Sequence, residues 1–570
     1  MSEKEMNMPL SHLPSDRFND YNLGEFGVPT MMTTADQGVK LISLANRFDK
    51  PSWARFMMLL RHTIIKDRRV FFVNGVPRTA SINWIRDHVH EMKAYKHWEY
   101  DIKSYIDFMI ENQAEEGFFY EITVVHDNAH AHMVDPPLVK PLDDNVTLVR
   151  IELEADVEYL VVEGATQIVK ATGDDEWGKK VLPALEKAIN YMTSSPKRWD
   201  KEHGLVKRPF TMDSWDFTYG QGGGDRRIYD DTPMSVMHGD NSGVYQAMNQ
   251  IAWLNRRYGN EEKALDWEKR AKTLKENLDK YCWTGDYYMH QFHLNHNGAE
   301  DADETKILSL SNAYDMNRHI VTQEQADKII AEYQRRRETY PAFAEWYCIN
   351  PPYTKFKRNP QGEYWKVNEY VNGGIATFVA GELAKAAFTY GHEEYGWDIL
   401  KRVRKISNEK QGIFFLYDPD TGDNMSGGPD GWCAAAILDA IDSGLAGIVD
   451  GDVCYNILKF SPRWAVTELE EARYITGYEC SKSLVETRYW NTGDSVCYEL
   501  LCPSKRVDCH ILLPKGKAAK RVILDGEEVK FETSKINDSV YVDFSFEKEH
   551  LPVIRDKWSK LKVHSIKIEF

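Results

Sequence analysis

The feature that most constrains the fold is a unit that occurs three times along the chain. Each unit is a helical stretch, a glycine, a short acidic cluster and a second helical stretch, at residues 170–177, 257–262 and 389–395. A glycine after a helix readily takes the left-handed conformation that ends it, and acidic or amide side chains cap the next helix. Each unit therefore predicts a hairpin of two helices.

Repeated helical hairpins in a chain with no βαβ rhythm can stack as an open solenoid or close into a ring. These hairpins differ in length and are separated by long loops at 209–233 and 340–374. A solenoid would be more regular, so the sequence favours a closed (α/α) barrel whose loops gather at one mouth.

The pattern changes to alternation of apolar and polar residues after about residue 455. Val507, Cys509 and Ile511 alternate with polar residues, and Asp525-Gly526 separates two further apolar runs as in a β-hairpin. The predicted organisation is an N-terminal extension (1–34), a helical barrel (35–455) and a small antiparallel β-sandwich (456–570), in a fold that is mainly α.

Composition excludes several classes of partner. The 570 residues carry a formal net charge of −17, which disfavours binding to nucleic acid or to anionic membranes. The first twenty residues contain no apolar signal core and no later run approaches a membrane span, so we expect a cytoplasmic location.

Neither the cysteines nor the histidines form a metal-binding motif. The eight cysteines lack CxxC spacing and are predicted to be reduced core residues. Two histidine groups match no ligand signature with a nearby carboxylate, and we interpret them as loop residues: His126, His130 and His132, and His290, His293 and His296. We therefore expect neither a metal nor a cofactor.

One loop combines carboxylates with aromatic residues, at 208–220. It places Asp213 and Asp216 beside Trp215 and Phe217. A carboxyl group against aromatic walls is desolvated, which raises its pKa and suits it to act as a general acid. The alternative is that the two aspartates only cap a helix or bind loop amides.

A second loop, 368–375, runs into an apolar helix. Glu369 stands ahead of an adjacent Gly373-Gly374 pair, which would allow a ligand to approach backbone amides closely. The alternative is a helix cap whose carboxylate favours the helix dipole. Glu345, next to Trp346, is a weaker candidate of the same kind.

These loops resemble those of known glycosidases. Asp213-Ser-Trp-Asp216-Phe resembles the acidic loop of trehalases, processing α-glucosidases and mannosylglycerate hydrolases, and Trp84-Ile-Arg-Asp87 is similar to the sugar-holding loop of glucoamylases and debranching enzymes. The run 417–422 followed by Gly431-Trp432 resembles the closing hairpin of those families. The sandwich is similar to the C-terminal domain of bacterial α-L-rhamnosidases. Together these likenesses indicate the six-hairpin (α/α)6-barrel glycoside hydrolase superfamily, without selecting one family.

The resemblance implies roles for individual residues. Asp216 would be the general acid, and Arg86 with Asp87 would contact the sugar. Trehalases carry their catalytic base three residues before the aspartate of the closing hairpin, where this chain has Phe415. We therefore assign the second carboxylate to Glu369. The other predicted substrate contacts are Trp84, Glu154, Asp213, Trp215, Asp240, Glu345, Trp346, Asn372 and Trp432.

The sequence thus predicts an exo-acting glycoside hydrolase, of the inverting type, that releases a terminal sugar from a small oligosaccharide or glycoside. The net charge favours a neutral sugar. Two alternatives stay open: a polysaccharide lyase acting on uronates, since helical toroids joined to β-sandwiches also occur in lyases, and a sugar-binding protein that has lost catalysis, which Phe415 would explain. The expected partner is a carbohydrate, and the sequence does not give an oligomeric state.

Overall fold

The computed structural model of the protein describes residues 43–45, 50–126, 138–212, 226–358, 363–548 and 562–570. Within these ranges the chain forms twelve α-helices. They are α1 (Lys50–Ile65), α2 (Ile85–Tyr95), α3 (Ser104–Glu111), α4 (Val157–Thr172), α5 (Asp175–Met192), α6 (His238–Arg257), α7 (Glu261–Cys282), α8 (Ser311–Asn317), α9 (Gln323–Thr339), α10 (Thr377–Thr389), α11 (Glu393–Lys410) and α12 (Gly431–Asp439). A π-helix, Ala440–Leu445, and two 3₁₀ turns, Glu304–Lys306 and Trp464–Val466, complete the helical elements.

The even-numbered helices form a closed inner ring. Each one contacts the next along the chain, and α12 returns to α2. The odd-numbered helices pack outside this ring, as α7 does on α6 and α11 on α10. This arrangement is an (α/α)6 barrel, and it confirms the closed barrel predicted from the hairpins.

Burial of the helices follows their position in the two rings. Every residue of the inner helix α12 is buried, whereas the outer helix α7 buries a single stripe with helical spacing. That stripe consists of Ala264, Trp267, Ala271, Leu274, Leu278 and Cys282. None of the described helices combines the length and the apolar character needed to cross a bilayer.

The predicted caps are present at the helix ends. Gly173 ends α4 in the left-handed conformation, with φ of 67°. Asp174 then accepts a hydrogen bond from the backbone N–H of Trp177 at 3.0 Å and begins α5. Thr322 and Gln325 form a capping box before α9. The local signals that predicted the hairpins are therefore confirmed.

Short strands join the helices, mostly at one end of the barrel. They are β2 (Arg69–Val73), β3 (Val76–Ala80), β4 (Ile122–Val125), β5 (Leu138–Pro141), β6 (Val146–Arg150), β7 (Trp199–Asp200), β8 (Leu205–Val206), β9 (Arg208–Pro209), β10 (Met234–Met237), β11 (Gln291–His293), β12 (Leu308–Ser309), β13 (Ile349–Asn350), β14 (Ile375–Ala376) and β15 (Leu416–Tyr417). The strand β1 (Ser43–Ala45) belongs to the C-terminal sandwich, where it pairs with the strand Glu471–Tyr478.

The C-terminal part is a sandwich of two sheets. Its remaining strands are β16 (Ile448–Asp450), β17 (Ile457–Phe460), β18 (Glu471–Tyr478), β19 (Ser483–Asn491), β20 (Ser495–Leu501), β21 (Arg506–Leu512), β22 (Arg521–Leu524), β23 (Glu527–Val529), β24 (Glu532–Ile536), β25 (Ser539–Glu547) and β26 (His564–Glu569). The strand orders are β1-β18-β19-β20-β26-β22-β23 and β16-β17-β21-β25-β24. The predicted hairpin at Asp525-Gly526 joins β22 to β23.

One pair of strands departs from the antiparallel expectation, because β17 and β21 run parallel. Between them the chain passes through β18, β19 and β20 of the other sheet, and such a crossover allows the two strands to run in the same direction. The domain ranges 1–34, 35–455 and 456–570 stay predictions.

Polar contacts fix the sandwich to the barrel. The His97 ring, on a turn after α2, binds the carbonyl oxygen of Gly477 through Nδ1 at 2.7 Å. Ser539 donates a hydrogen bond to Glu393, at the start of α11, at 2.5 Å. Arg257, at the end of α6, pairs with Asp452 at 2.9 Å. The sandwich therefore braces several helices at once.

Replacement of Gly381 by alanine is expected to destabilise the barrel. A Cβ atom at this position of α10 would lie 2.5 Å from the carbonyl carbon of Ala436 in α12, where the two inner helices cross. Backbone atoms cannot yield as a flexible side chain would, so we expect a loss of about 1–3 kcal/mol in the free energy of unfolding. The midpoint of thermal unfolding, followed by circular dichroism, would report it.

Gly427→Ala is the matched control. Its Cβ would meet nothing within 4 Å, so the unfolding midpoint should stay unchanged. If both variants melted with the wild type, the close crossing of α10 and α12 would have no energetic importance.

Candidate functional site

The six inner helices begin around one mouth of the barrel. Residues at or just before their first turns contact one another across the ring: Arg86 binds Asp156 at 2.8 Å, a Cβ on Gly239 would meet Ser311, and Trp432 stacks on Phe378. Helix N-termini carry partial positive charge, so this mouth favours anionic and strongly polar groups.

A cavity lies on the barrel axis just inside the mouth. It is bounded by Arg86, His90, Asp156, Tyr159, Gly239, Leu310, Ser311, Tyr314, Arg318 and Trp432. These residues come from five of the six inner helices and the residues that flank them. We call this space the axial cavity, and it is the candidate active site.

Arg86 is the centre of a buried ion-pair network in the cavity wall. Its guanidinium group binds Asp156 at 2.8 Å, Glu154 at 2.9 Å and Glu121 at 3.4 Å. Burial raises the pKa of Glu154 and of Glu121, since it outweighs the attraction of Arg86. Burial alone would also raise the pKa of Asp156, but the charge and hydrogen bonds of Arg86 outweigh burial and lower this pKa. Asp156 is therefore the firmly ionised partner.

Arg208 extends this network to α6. It is fully buried in β9, with Glu154 at 3.8 Å and Asp240 at 3.7 Å. Burial raises the pKa of Asp240, whereas the charge of Arg208 opposes the shift. Two predicted sugar contacts, Glu154 and Asp240, thus lie behind the cavity wall, where they hold the arginines in place.

Stacked aromatic rings form part of the wall of the axial cavity. Trp432 lies parallel to His90, with ring centroids 4.4 Å apart and an interplanar angle of 2°. It also stacks on Phe378 at 4.7 Å and donates a hydrogen bond to the Tyr314 hydroxyl at 3.0 Å. Burial lowers the pKa of His90 well below its ordinary value, so the imidazole is neutral.

Phe415 belongs to the same aromatic group. Its ring stacks on Phe378 at 5.4 Å and lies 6.0 Å from Trp432. The resemblance to trehalases places a carboxylate base at this position. Here the position is apolar and packs against Phe378 and Trp432, beside the cavity wall.

Asp87 lies in a separate cluster of carboxyl groups beside the start of α12. Burial raises the pKa of Asp87 to about 7, that of Asp67 to about 6 and that of Asp430 above its ordinary value. Burial raises the pKa of Glu91 well above its ordinary range, and Ser81 donates a hydrogen bond to this carboxyl. Trp84 precedes α2 and accepts a backbone hydrogen bond from His88 at 2.9 Å.

Asp87→Asn is expected to stabilise the protein at alkaline pH. Because the folded-state pKa of about 7 exceeds the ordinary value of 3.8, the folded state binds more protons between these values and stability falls as pH rises from about 4 to 7. Asparagine removes this penalty, so we expect a gain of about 1–3 kcal/mol at pH 8 and little at pH 4. Unfolding midpoints at the two pH values would measure it.

The control for this prediction is Asp538→Asn, which removes the same charge from a fully exposed position. It should change stability equally at both pH values. A gain for Asp87→Asn that did not depend on pH would contradict the assigned cause.

Asp213, Trp215 and Asp216 lie outside the described residues. The chain on either side is held by hydrogen bonds. The Thr211 carbonyl accepts a hydrogen bond from Gln291 at 2.6 Å, and the Arg226 carbonyl accepts one from the backbone of Glu152 at 3.2 Å.

Glu369 and Asn372 lie in the loop before α10. Glu369 is partly exposed, pairs with Arg358 at 3.0 Å and accepts a backbone hydrogen bond from Lys366. Asn372 is fully buried and binds both backbone groups of Tyr353, at 2.8 and 2.9 Å. Neither borders the axial cavity, and Asn372 holds the loop in shape.

Glu345 and Trp346 also lie away from the axial cavity. Both carboxylate oxygens of Glu345 bind Arg402, at 2.7 and 2.8 Å, and Tyr395 donates to one of them at 2.7 Å. The Arg402 guanidinium lies over the ring of Trp346, 4.8 Å from its centroid. These contacts fasten the loop that precedes α10 onto helix α11. They engage both carboxylate oxygens of Glu345.

The histidines at 290 and 293 pack in a lobe beside the mouth. Each binds Glu304 at 3.1 Å, and Tyr353 donates to the same carboxyl at 2.6 Å. Burial alone would raise the pKa of Glu304, but the hydrogen bonds with His290 and His293 outweigh burial and lower this pKa to about 2. In the part of the chain that is described, no group of three or more histidine, cysteine or acidic residues is arranged to hold a metal ion.

Of the ten residues that line the cavity, the sequence predicted only Arg86 and Trp432; the eight that it missed include Asp156, Tyr159, Tyr314 and Arg318. Asp156 stands two residues after Glu154, and its link to Arg86 spans 70 positions. Tyr314 and Arg318 lie one helical turn apart, at the end of the short helix α8 and just after it. Periodicity could assign them to an inner face, but it could not show which of them border a cavity.

Comparisons with known proteins agree with this architecture. A family model described as the catalytic domain of the glycosyl hydrolase 94 superfamily matches residues 227–414. A mannosylglycerate hydrolase from Rubrobacter radiotolerans is 26% identical over 275 residues, which are 46% of this chain and 56% of that protein. The chain thus spans little more than half the length of this curated relative.

Two solved structures extend the likeness to the sandwich. The α-L-rhamnosidase from Dictyoglumus thermophilum has a TM-score of 0.55 and 11% identity, covering 91% of this chain and 49% of that one. The α-L-rhamnosidase from Streptomyces avermitilis has the same TM-score, identity and coverage of this chain, with 41% of its own length matched. The chain therefore shares the fold of these α-L-rhamnosidases, an (α/α)6 barrel followed by a C-terminal β-sandwich.

Proposed function

We propose that the protein is a glycoside hydrolase that removes a terminal sugar from a small oligosaccharide or glycoside. One observation carries this proposal: the axial cavity joins cationic, anionic and aromatic side chains in a concave space at the mouth of the barrel. Sugars present hydroxyl groups and apolar faces, and such a lining can bind both. The match to a glycosyl hydrolase catalytic domain supports the same activity.

The position of the cavity supports exo action. Most of its lining residues lie in the first turns of the inner helices or just before them, so a glycan would enter from the mouth end first. A chain interior would need a cleft that is open on both sides.

For the chemistry we propose acid and base catalysis by two carboxyl groups. Asp216 donates a proton to the leaving oxygen, while Glu369 activates a water molecule from the opposite face of the sugar, with inversion. Because Glu369 lies in the loop before α10 and does not border the axial cavity, this scheme places the cleaved bond at the mouth and only the terminal sugar inside the cavity. Inverting enzymes separate the two carboxyl groups by about 6.5–9.5 Å to leave room for that water. The ion pair of Glu369 with Arg358 suits a group that must act as a carboxylate.

A second candidate function, a sugar-binding protein without catalysis, is favoured by Phe415. This ring occupies the position of the base in trehalases and packs on Phe378 at 5.4 Å. If no other carboxylate reaches the reacting carbon, the axial cavity would bind a sugar without cleaving its bond.

Product analysis distinguishes these functions. The protein would be incubated with glycosides of neutral and acidic sugars, including rhamnosides and mannosylglycerate because the comparisons name proteins that act on them. Release of one saturated monosaccharide would support exo hydrolysis, and proton NMR of the first-formed anomer would test inversion. An unsaturated uronate would indicate a lyase, and binding without any product would favour the second candidate.

A further inference from the structure

Arg318 is a cavity residue with an unusual charge environment. It follows α8, is only 8% exposed and borders the axial cavity. Its Nη1 donates to the Gly239 carbonyl at 2.7 Å and to Ser242 at 3.0 Å. Its guanidinium group lies 5.0 Å from the ring centroid of Tyr159 and 5.3 Å from that of Tyr314.

None of the carboxylates in the described ranges comes within 4.0 Å of Arg318. Arg86, by contrast, binds three. The charges of Glu163 and Asp315 act on Arg318 from a greater distance, and Asp315 is already bound to His238 at 2.5 Å. A buried guanidinium normally pairs with an anion, because burial of an uncompensated charge is costly.

The charged groups that line the axial cavity are two guanidinium groups, Arg86 and Arg318, and one carboxyl group, Asp156. Arg86, Arg208 and Arg318 remain charged under all ordinary conditions. Of the carboxyl groups next to them, Asp156 has a lowered pKa, whereas burial raises the pKa of Glu154 and of Asp240. The net charge of −17 for the whole chain therefore does not describe this site.

We infer that the sugar bound in the axial cavity carries a carboxylate, as a uronic acid does, and that Arg318 pairs with it. This inference rests on the proposed function and names its substrate class. Besides the bonds of Nη1 and a hydrogen bond with Tyr159, Arg318 has further N–H donors, and a guanidinium group matches the planar geometry of a carboxylate. The aromatic rings of Tyr159 and Tyr314 hold the guanidinium group at the cavity wall. The carboxylate of a terminal sugar would reach it there.

The expected ligand is an acidic terminal sugar rather than an acidic leaving group. Arg318 lies one turn after Tyr314, and therefore one turn further into the barrel from the mouth. A carboxylate that reaches this depth belongs to the unit that enters first. A neutral sugar with a carboxylate on its leaving group would carry the charge nearer the mouth.

The test compares matched ligands on the full-length protein. Binding of glucuronate, galacturonate, glucose and galactose would be measured by calorimetry, and turnover of the corresponding nitrophenyl glycosides, in both anomers, by release of nitrophenol. We expect wild-type protein to prefer uronates and uronides by at least about tenfold. Arg318→Gln should lose that preference, and Arg318→Lys, which keeps the charge, should retain part of it.

Arg337→Gln is the control for the charge change. Arg337 is an exposed outer-helix residue paired with Asp398, so its variant should bind uronates as the wild type does. Circular dichroism would establish that both Arg318 variants are folded, and Arg318→Lys decides the question if the glutamine variant is not.

The outcomes separate this inference from the proposed function. Uronate binding that depends on Arg318, without cleavage of any glycoside, would sustain the inference and refute hydrolysis. Cleavage of neutral glycosides but not of uronides would support hydrolysis and overturn the inference. The inference would also be overturned if Arg318→Gln lost binding of neutral sugars and uronates equally, or if the protein preferred mannosylglycerate to every uronide.

Discussion

Asp216→Asn is expected to lower kcat by about 10²–10⁴-fold while leaving substrate binding nearly unchanged. General acid catalysis contributes a factor of this size when the leaving group needs a proton. Asparagine keeps the shape of the side chain and removes only the proton, so the loss should appear in kcat and kcat/KM together. Steady-state kinetics on the best substrate of the panel, with KM read separately, would measure it.

Activated substrates sharpen this test. A dinitrophenyl glycoside has a leaving group that departs without a proton, so its cleavage should fall far less in Asp216→Asn than that of an ordinary glycoside. Asp230→Asn serves as the control, because it removes the same charge from an exposed position in the same connection between helices. If Asp216→Asn kept most of its activity on ordinary glycosides, another group would be the acid.

Local signals in the sequence were enough to predict the barrel. Gly173 and Asp174 end one helix and begin the next through contacts within a few residues, and the hairpin at Asp525-Gly526 depends on two left-handed residues. Such features depend on neighbours in the chain. Since the hairpins repeat, a closed ring is the arrangement that buries the apolar face of every inner helix.

The candidate site was harder to predict because its contacts are not local. Glu345 beside Trp346 carries the same local signal as a functional carboxyl next to an aromatic ring, yet its partner Arg402 lies 57 positions later and occupies both oxygens. No motif or pattern in the sequence distinguished Arg318. Its importance comes from the register of α8 against α4 and α6, which only the packed barrel determines.

Arg86 was predicted as a sugar contact, and the structure gives it a larger role in stability. Its guanidinium group compensates Asp156, Glu154 and Glu121 within a buried wall. Arg86→Met is expected to lower the free energy of unfolding by about 3–5 kcal/mol, because removal of one partner leaves buried carboxyl groups without a counter-charge. Activity should also be lost, since Arg86 borders the axial cavity.

The loss in Arg86→Met should grow with pH. In the wild type, Arg86 lowers the pKa of Asp156 against the effect of burial, so this carboxylate stabilises the fold above its unfolded pKa. Without Arg86, burial alone raises the pKa of Asp156, and the fold loses stability as pH rises through that value. The difference between the two proteins should therefore be larger at pH 8 than at pH 5, as measured by urea unfolding at each pH.

Arg337→Met is the matched control for this prediction, because it breaks an exposed ion pair with Asp398 at 2.8 Å. Exposed pairs contribute about 0–1 kcal/mol, so its unfolding should differ little from the wild type at either pH. A loss in Arg86→Met that was equal at pH 5 and pH 8 would mean that packing of the arginine stem, and not its charge, stabilises the wall. The pH dependence thus separates the electrostatic role of Arg86 from its volume, which a single melting temperature cannot do.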